Sequence, residues 1–112
     1  MGQKYAYPRL PELLTSPVSF NTTGDNIIIA AIASTRLLVH RLVLFNTASC
    51  NILIKNGAGT NLTGLLPLGP SGLLVFDISG EPWFTTSLGN AFIINQDSIS
   101  ILTGIVYYNT SQ

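Results

Sequence analysis

Short apolar runs of strand length recur along this chain, each closed by a cluster of turn residues, and that rhythm commits it to an all-β sandwich or barrel. Val18 and Phe20 alternate with Ser19 and Asn21 ahead of the polar turn Thr22-Thr23-Gly24-Asp25-Asn26. Cys50, Ile52 and Ile54 alternate with Asn51 and Lys55, which turns one side of a strand toward a core and leaves the other polar, and Asn56-Gly57-Ala58-Gly59 follows as a turn. The stretches 73–78 and 91–96 are nearly continuous apolar runs, separated by Ser79-Gly80-Glu81-Pro82, the aromatic pair Trp83-Phe84 and the turn Leu88-Gly89-Asn90. In the last run Ile99, Ile101, Ile105 and Tyr107 fall on one side with Ser98 and Ser100 opposite, and Gly104 marks a bulge or a close backbone approach.

One segment admits two readings. No Gly or Pro occurs between Asp25 and Asn56, so 27–45 can be drawn as a helix capped by Asp25 or Asn26. Its β-branched residues (Ile27, Ile28, Ile29, Ile32, Val39, Val43) and the polar break Ser34-Thr35 favour a strand through Ala33, a tight turn, and a long strand over 36–45. That long strand is apolar on both faces, Leu38, Leu42 and Leu44 alternating with Leu37, Val39, Val43 and Phe45. Both faces then need a cover, one from a second sheet and one from a neighbouring chain around a closed symmetry axis.

The first 17 residues hold Pro8, Pro11 and Pro17, each of which also pushes its predecessor out of the helical region. They read as an extended arm whose Tyr5, Tyr7, Leu10, Leu13 and Leu14 lie against something rather than in solvent. The expected architecture is therefore an antiparallel β-sandwich of jelly-roll type over 18–112, preceded by an arm over 1–17. A length of 112 residues leaves no room for a second domain with its own core.

Charge narrows the function. Five Lys plus Arg and five Asp plus Glu make 9% of the chain, where about 25% is ordinary, and Ser, Thr, Asn and Gly fill the difference. A net charge of zero lacks the electrostatic footprint of a protein that binds phosphates, so no nucleic-acid partner is expected. The longest charge-free run, 56–76, carries five glycines and two prolines and reads as loops rather than a membrane span. The N-terminal stretch offers no apolar run of signal-peptide length, and Ala6 stands where a myristoylation motif wants Ser or Thr. The single Cys50 makes no internal disulfide, and with one histidine there is no multi-ligand zinc site, so neither metal nor cofactor is expected.

Chemistry has few candidates. His40 is the one histidine able to serve a nucleophile, and beside Arg41 in an apolar strand it reads as a partly buried or interface residue rather than a base. Glu12, Asp25, Asp77, Glu81 and Asp97 are scattered; Asp77 and Glu81 are the closest useful pair, and next to Gly80 and Pro82 they read as turn residues. Gly57-Ala58-Gly59 has no Gly-Lys-Ser/Thr after it and is no phosphate loop. The sequons at Asn21, Asn61 and Asn109 are expected by chance in a chain this rich in Asn and Thr. Trp83 and Phe84 are adjacent, so in a strand they point to opposite faces and one of them faces away from the core.

The block Ala30-Ala31-Ile32-Ala33-Ser34-Thr35-Arg36-Leu37-Leu38-Val39, then Asn56-Gly57-Ala58-Gly59-Thr60-Asn61-Leu62-Thr63-Gly64, Pro82-Trp83-Phe84-Thr85-Thr86-Ser87 and Gly89-Asn90-Ala91, resembles small structural proteins of tailed bacteriophage particles. The resemblance covers roughly 26–108. It implies a β-sandwich without enzymatic activity, commonly trimeric on the capsid or part of a fibre or tail attachment. It brings no site residues, because the motifs are turns and alternations. The expectation is a capsid cement or decoration protein, a homotrimer on the virion surface made in the host cytoplasm, that binds the major capsid protein or other virion subunits. Its contact residues would be Tyr5, Tyr7, Leu10, Leu13, Leu14 and Trp83. A fibre or tail module that binds a host glycan through Trp83 is the alternative. A small hydrolase built on His40 is a distant third.

Overall fold

The computed structural model describes residues 13–112, and these form an all-β sandwich with no helix. Ten strands follow one another: β1 (Leu14–Phe20), β2 (Gly24–Ile29), β3 (Arg36–Asn46), β4 (Cys50–Asn56), β5 (Thr60–Asn61), β6 (Leu66–Leu68), β7 (Leu73–Phe76), β8 (Phe84–Thr85), β9 (Phe92–Gln96) and β10 (Leu102–Ser111). Sheet I runs β1-β10-β3-β7 with β8 also on β3, and sheet II runs β2-β9-β4-β5 with β6 also on β4. Every pairing is antiparallel and the pairs are nested: β1 with β10, β2 with β9, β3 with β8, β4 with β5. Nested pairing wrapped into two sheets is the jelly roll.

The core lies between the sheets. Val18, Leu42, Leu44, Leu102 and Val106 reach in from sheet I, and Ile29, Ile52, Ile54, Phe92 and Ile94 from sheet II. An aromatic chain closes one end: Phe76 meets Phe84 edge-on at 5.1 Å, and Phe84 meets Phe92 at 5.9 Å. At the other end buried Asn46 ties two loops, donating to the carbonyls of Ala48 and Gly69 and accepting from the Gly72 amide at 2.7 Å. A buried amide of this kind replaces water for backbone groups that no strand pairs.

The helical alternative over 27–45 does not form. The break at Ser34-Thr35 is a turn in which Thr35 N–H donates to the Ile32 carbonyl at 3.2 Å and Ser34 takes a φ of 56°. β2 stops at Ile29, short of Ala33, because its partner β9 begins at Phe92 and offers no further residue to pair. The runs at 73–78 and 91–96 give the shorter strands β7 and β9.

Two boundary and facing expectations change, and one facing the sequence leaves open is settled. Leu14 to Pro17, which the prolines assign to the arm, belong to β1 and pair with Tyr108 to Ile105. Proline is tolerated there because β1 is an edge strand. Tyr5, Tyr7 and Leu10 lie outside the described residues. In β10 it is Leu102 and Val106, with Ser100 just ahead, that are buried, whereas Ile99 and Ile101 are exposed. Sheet I covers β10 on one side alone, and an alternation that is apolar on both sides carries no sign of which side that is. In β3 an extra residue, His40, is inserted where Arg41 pairs with Tyr107 and Val39 with Tyr108. This bulge moves Leu37 and Val39 to the same inner side as Leu42 and Leu44.

Candidate interaction surface

Each sheet buries one side and leaves the other open, and the open sides differ in chemistry. On sheet I three outward rows run across in-register strands up to the His40 bulge, and beyond it Asn109, Leu38 and Thr85, then Ser111 and Arg36, continue the same side. Thr15, Tyr107 and Arg41 make the first, Pro17, Ile105, Val43 and Val75 the second, and Ser19, Thr103, Phe45 and Leu73 the third. Phe45 is 51% exposed, Leu73 58% and Val75 45%, and Ile101, next to the third row, 49%. The charge in these rows is Arg41. Its guanidinium carbon sits 5.3 Å from the Tyr107 ring centre, and its Nε lies 3.2 Å from Asp77 Oδ1 without the alignment of a hydrogen bond. At such exposure the ion pair contributes no more than about 1 kcal/mol, but it neutralises Arg41.

The open side of sheet II mixes charged and amide groups with outward Ile27, Leu53 and Ile93. Lys55 Nζ donates to both oxygens of Asp25, at 3.0 and 3.1 Å, and Asn95 Nδ2 donates to Asp25 Oδ1 at 2.8 Å, so one carboxylate joins β2, β9 and β4. The Asn95 amide and then Lys55 hold the Asp25 carboxyl below the usual carboxylate range. Asp97 accepts from the Asn51 backbone N–H at 2.9 Å and from its side chain at 2.7 Å, which lowers it likewise. Ile27 is the most open apolar residue of this side, at 67%.

The sequence candidates separate. Phe84 is core, and Trp83 faces out at 46% exposure, as their adjacency requires. Trp83 is held in place: its backbone N–H donates to the Val39 carbonyl at 2.8 Å, its indole N–H to the Asp77 carbonyl, and its ring leans on Phe76 at 5.3 Å. Leu13 is half-buried; Leu14 is exposed at the start of β1. Neither Leu13 nor Leu14 belongs to the rows of sheet I, and Trp83 stands at its β7–β8 corner.

His40 is buried, and its Nε2 is bonded to Asn109 Oδ1 at 2.9 Å; the partner is an amide and not a nucleophile. Asp77 caps its own loop by accepting from the Ile78 N–H. Cys50 is buried at the floor of a shallow cleft of about 430 Å³ whose rim includes Asn51, Pro67 and Asp97. Burial pushes the Cys50 thiol up, away from the reactive thiolate. Among the described residues no three of His, Cys, Asp and Glu gather as a metal site would need, and no helix is long and apolar enough to cross a membrane.

What this arrangement can do is make contacts. Leu73, Val75 and Ile105 carry no sign of contact in the sequence, whereas Val43 and Phe45 lie on the strand whose two apolar faces already called for a neighbouring chain. No protein-family model matches the chain, and no curated protein matches it in sequence.

Proposed function

We propose that this chain is a non-enzymatic virion structural protein, a capsid cement or decoration protein that binds and stabilises the lattice of the major capsid protein as a homo-oligomer. The observation that carries the reading is the open side of sheet I, where the Val43 and Phe45 rows are apolar and uncharged, on a sandwich whose other open side carries the Asp25–Lys55 pair and Asp97. Such a surface is worth keeping where it is covered by protein. The jelly roll supports the reading by fold-level analogy, since viral capsid domains use it, though lectins and cupins do too. Tyr5, Tyr7, Leu10 and Leu13 would add contacts repeated in every protomer, so that avidity holds the assembly on the particle.

The chain is expected to co-purify with mature particles of the virus that encodes it. Because β1 starts at Leu14, the arm is tested by removing residues 1–12. The truncated chain should keep its β-sheet circular dichroism and lose at least about tenfold in particle occupancy. A chain absent from particles sinks the virion reading, and undiminished occupancy of the truncated form sinks the role of the arm.

Trp83 favours a second reading, a fibre or tail module that binds a host glycan. Its half-open ring is fixed by Phe76 and by the indole bond to Asp77, as a stacking platform for a sugar needs to be. On a glycan array Trp83→Ala should then lose a signal that the wild type gives. A wild type that binds no glycan removes this reading.

A further inference from the structure

We propose that the open side of sheet I is the surface through which copies of this chain associate, each seating this face against the same face of another copy. This rests on the structural reading above and names the partner that covers the face first.

Area supports a second copy. Side chains of this size present roughly 150–200 Å² when fully open, so Phe45, Leu73, Val75 and Ile101 leave about 350 Å² in water. Half-buried Val43, Ile105 and Tyr107 with exposed Pro17 raise the apolar patch to about 500 Å², at the upper end of what a monomer shows. Two such faces together reach the roughly 1,000 Å² that a specific interface needs, before the polar rim of Thr15, Ser19 and Thr103 is added.

Charge supports it too. Arg41 is balanced by Asp77, Arg36 lies beyond the bulge at the far end of β3, and the rows of Val43 and Phe45 contain no ionised group, so these rows meet their copies without like-charge repulsion. On sheet II Asp25 is balanced by Lys55, but Asp97 has no cation beside it among the described residues, so the same approach there would confront Asp97 with its equivalent. Arg41 over Tyr107 and the Ser and Thr positions set the polar margin that a self-complementary patch needs at its rim.

The mass of the full chain in solution, measured by light scattering across roughly 1–200 μM, tests the proposal. A twofold dimer is expected, because a face that seats against the same face closes at two copies, and a mass of three copies would overturn the face-to-face contact. Phe45→Lys and Leu73→Lys, each placing a cation in the contact, should weaken association at least a hundredfold while circular dichroism stays that of the wild type. Ile27→Lys, on the opposite side, should leave the mass unchanged.

Hydroxyl-radical footprinting of the wild type reads the same contact without any substitution. Labelling of Phe45 and Leu73 should fall as concentration rises, and labelling of Ile27 should not. A wild type monomeric throughout, lysine variants that assemble as the wild type does, or labelling of Phe45 that ignores concentration would each overturn the proposal. So would removal of residues 1–12 exposing Phe45 in a chain that is a monomer, which gives the face to that segment. A monomer that still binds particles defeats this inference and leaves the virion reading intact; an oligomer that binds none does the reverse.

Discussion

A β-carbon on Gly104 would overlap the carbonyl oxygen of Val43 and stand 2.8 Å from its carbonyl carbon, so β10 and β3 meet there with no room for a side chain. Backbone cannot step aside as a flexible side chain can, and the cheapest response is to part the two central strands of sheet I. Gly104→Ala should therefore cost about 3 kcal/mol or more, read by urea unfolding; a loss under about 0.5 kcal/mol would show that the strands yield. Gly104 was legible in the sequence because a glycine inside an apolar strand has few other uses. The buried amides were not. Asn46 spans to Gly69 and Gly72, Asn56 to Ser87, and Gln96 to Thr22, and nothing local to a polar residue in an apolar run tells which distant loop it serves.

Elements were read better than their facings. The long strand over 36–45 and the turn ahead of it were legible because β-branched residues crowd a polar break, and β3 matches within one residue. Its facing changes at His40, since a bulge depends on which residue of the partner strand lies opposite, and that partner lies more than 60 residues away in sequence. The outward patch was hidden for the same reason: the alternation of β10 fits either side.

At this scale the tie across β2, β9 and β4 gives sheet II an acid limit. Asp25 has a folded pKa below its unfolded value, so its contribution is present above the ordinary carboxylate range and is lost as pH falls through the folded value. The melting temperature should be flat in this respect above about pH 5 and fall below about pH 4. Asp25→Asn should flatten that limb in a pH series; parallel curves for the two proteins would mean that Asp25 carries none of it. Asp97, lowered by Asn51, supplies a share that survives the substitution.

The whole molecule is two unlike surfaces on one core. The deficit of charge indicated an assembled protein but gave it no direction; packing supplies one, because the ties of Asp25, Lys55 and Asp97 gather on sheet II while the Val43 and Phe45 rows of sheet I carry no charge at all. All-β class and a single core were legible from turn spacing, whereas nesting was not, since turns do not record which strand returns to which. The nesting also bears on synthesis. β10 is made after every strand it touches, yet it lies between β1 and β3 in the middle of sheet I. Until residues 102–111 leave the ribosome, the apolar sides of β1 and β3 have a gap between them the width of a strand. A message cut short there would yield a chain with nearly all of its core residues and an open slot shaped for another chain's strand.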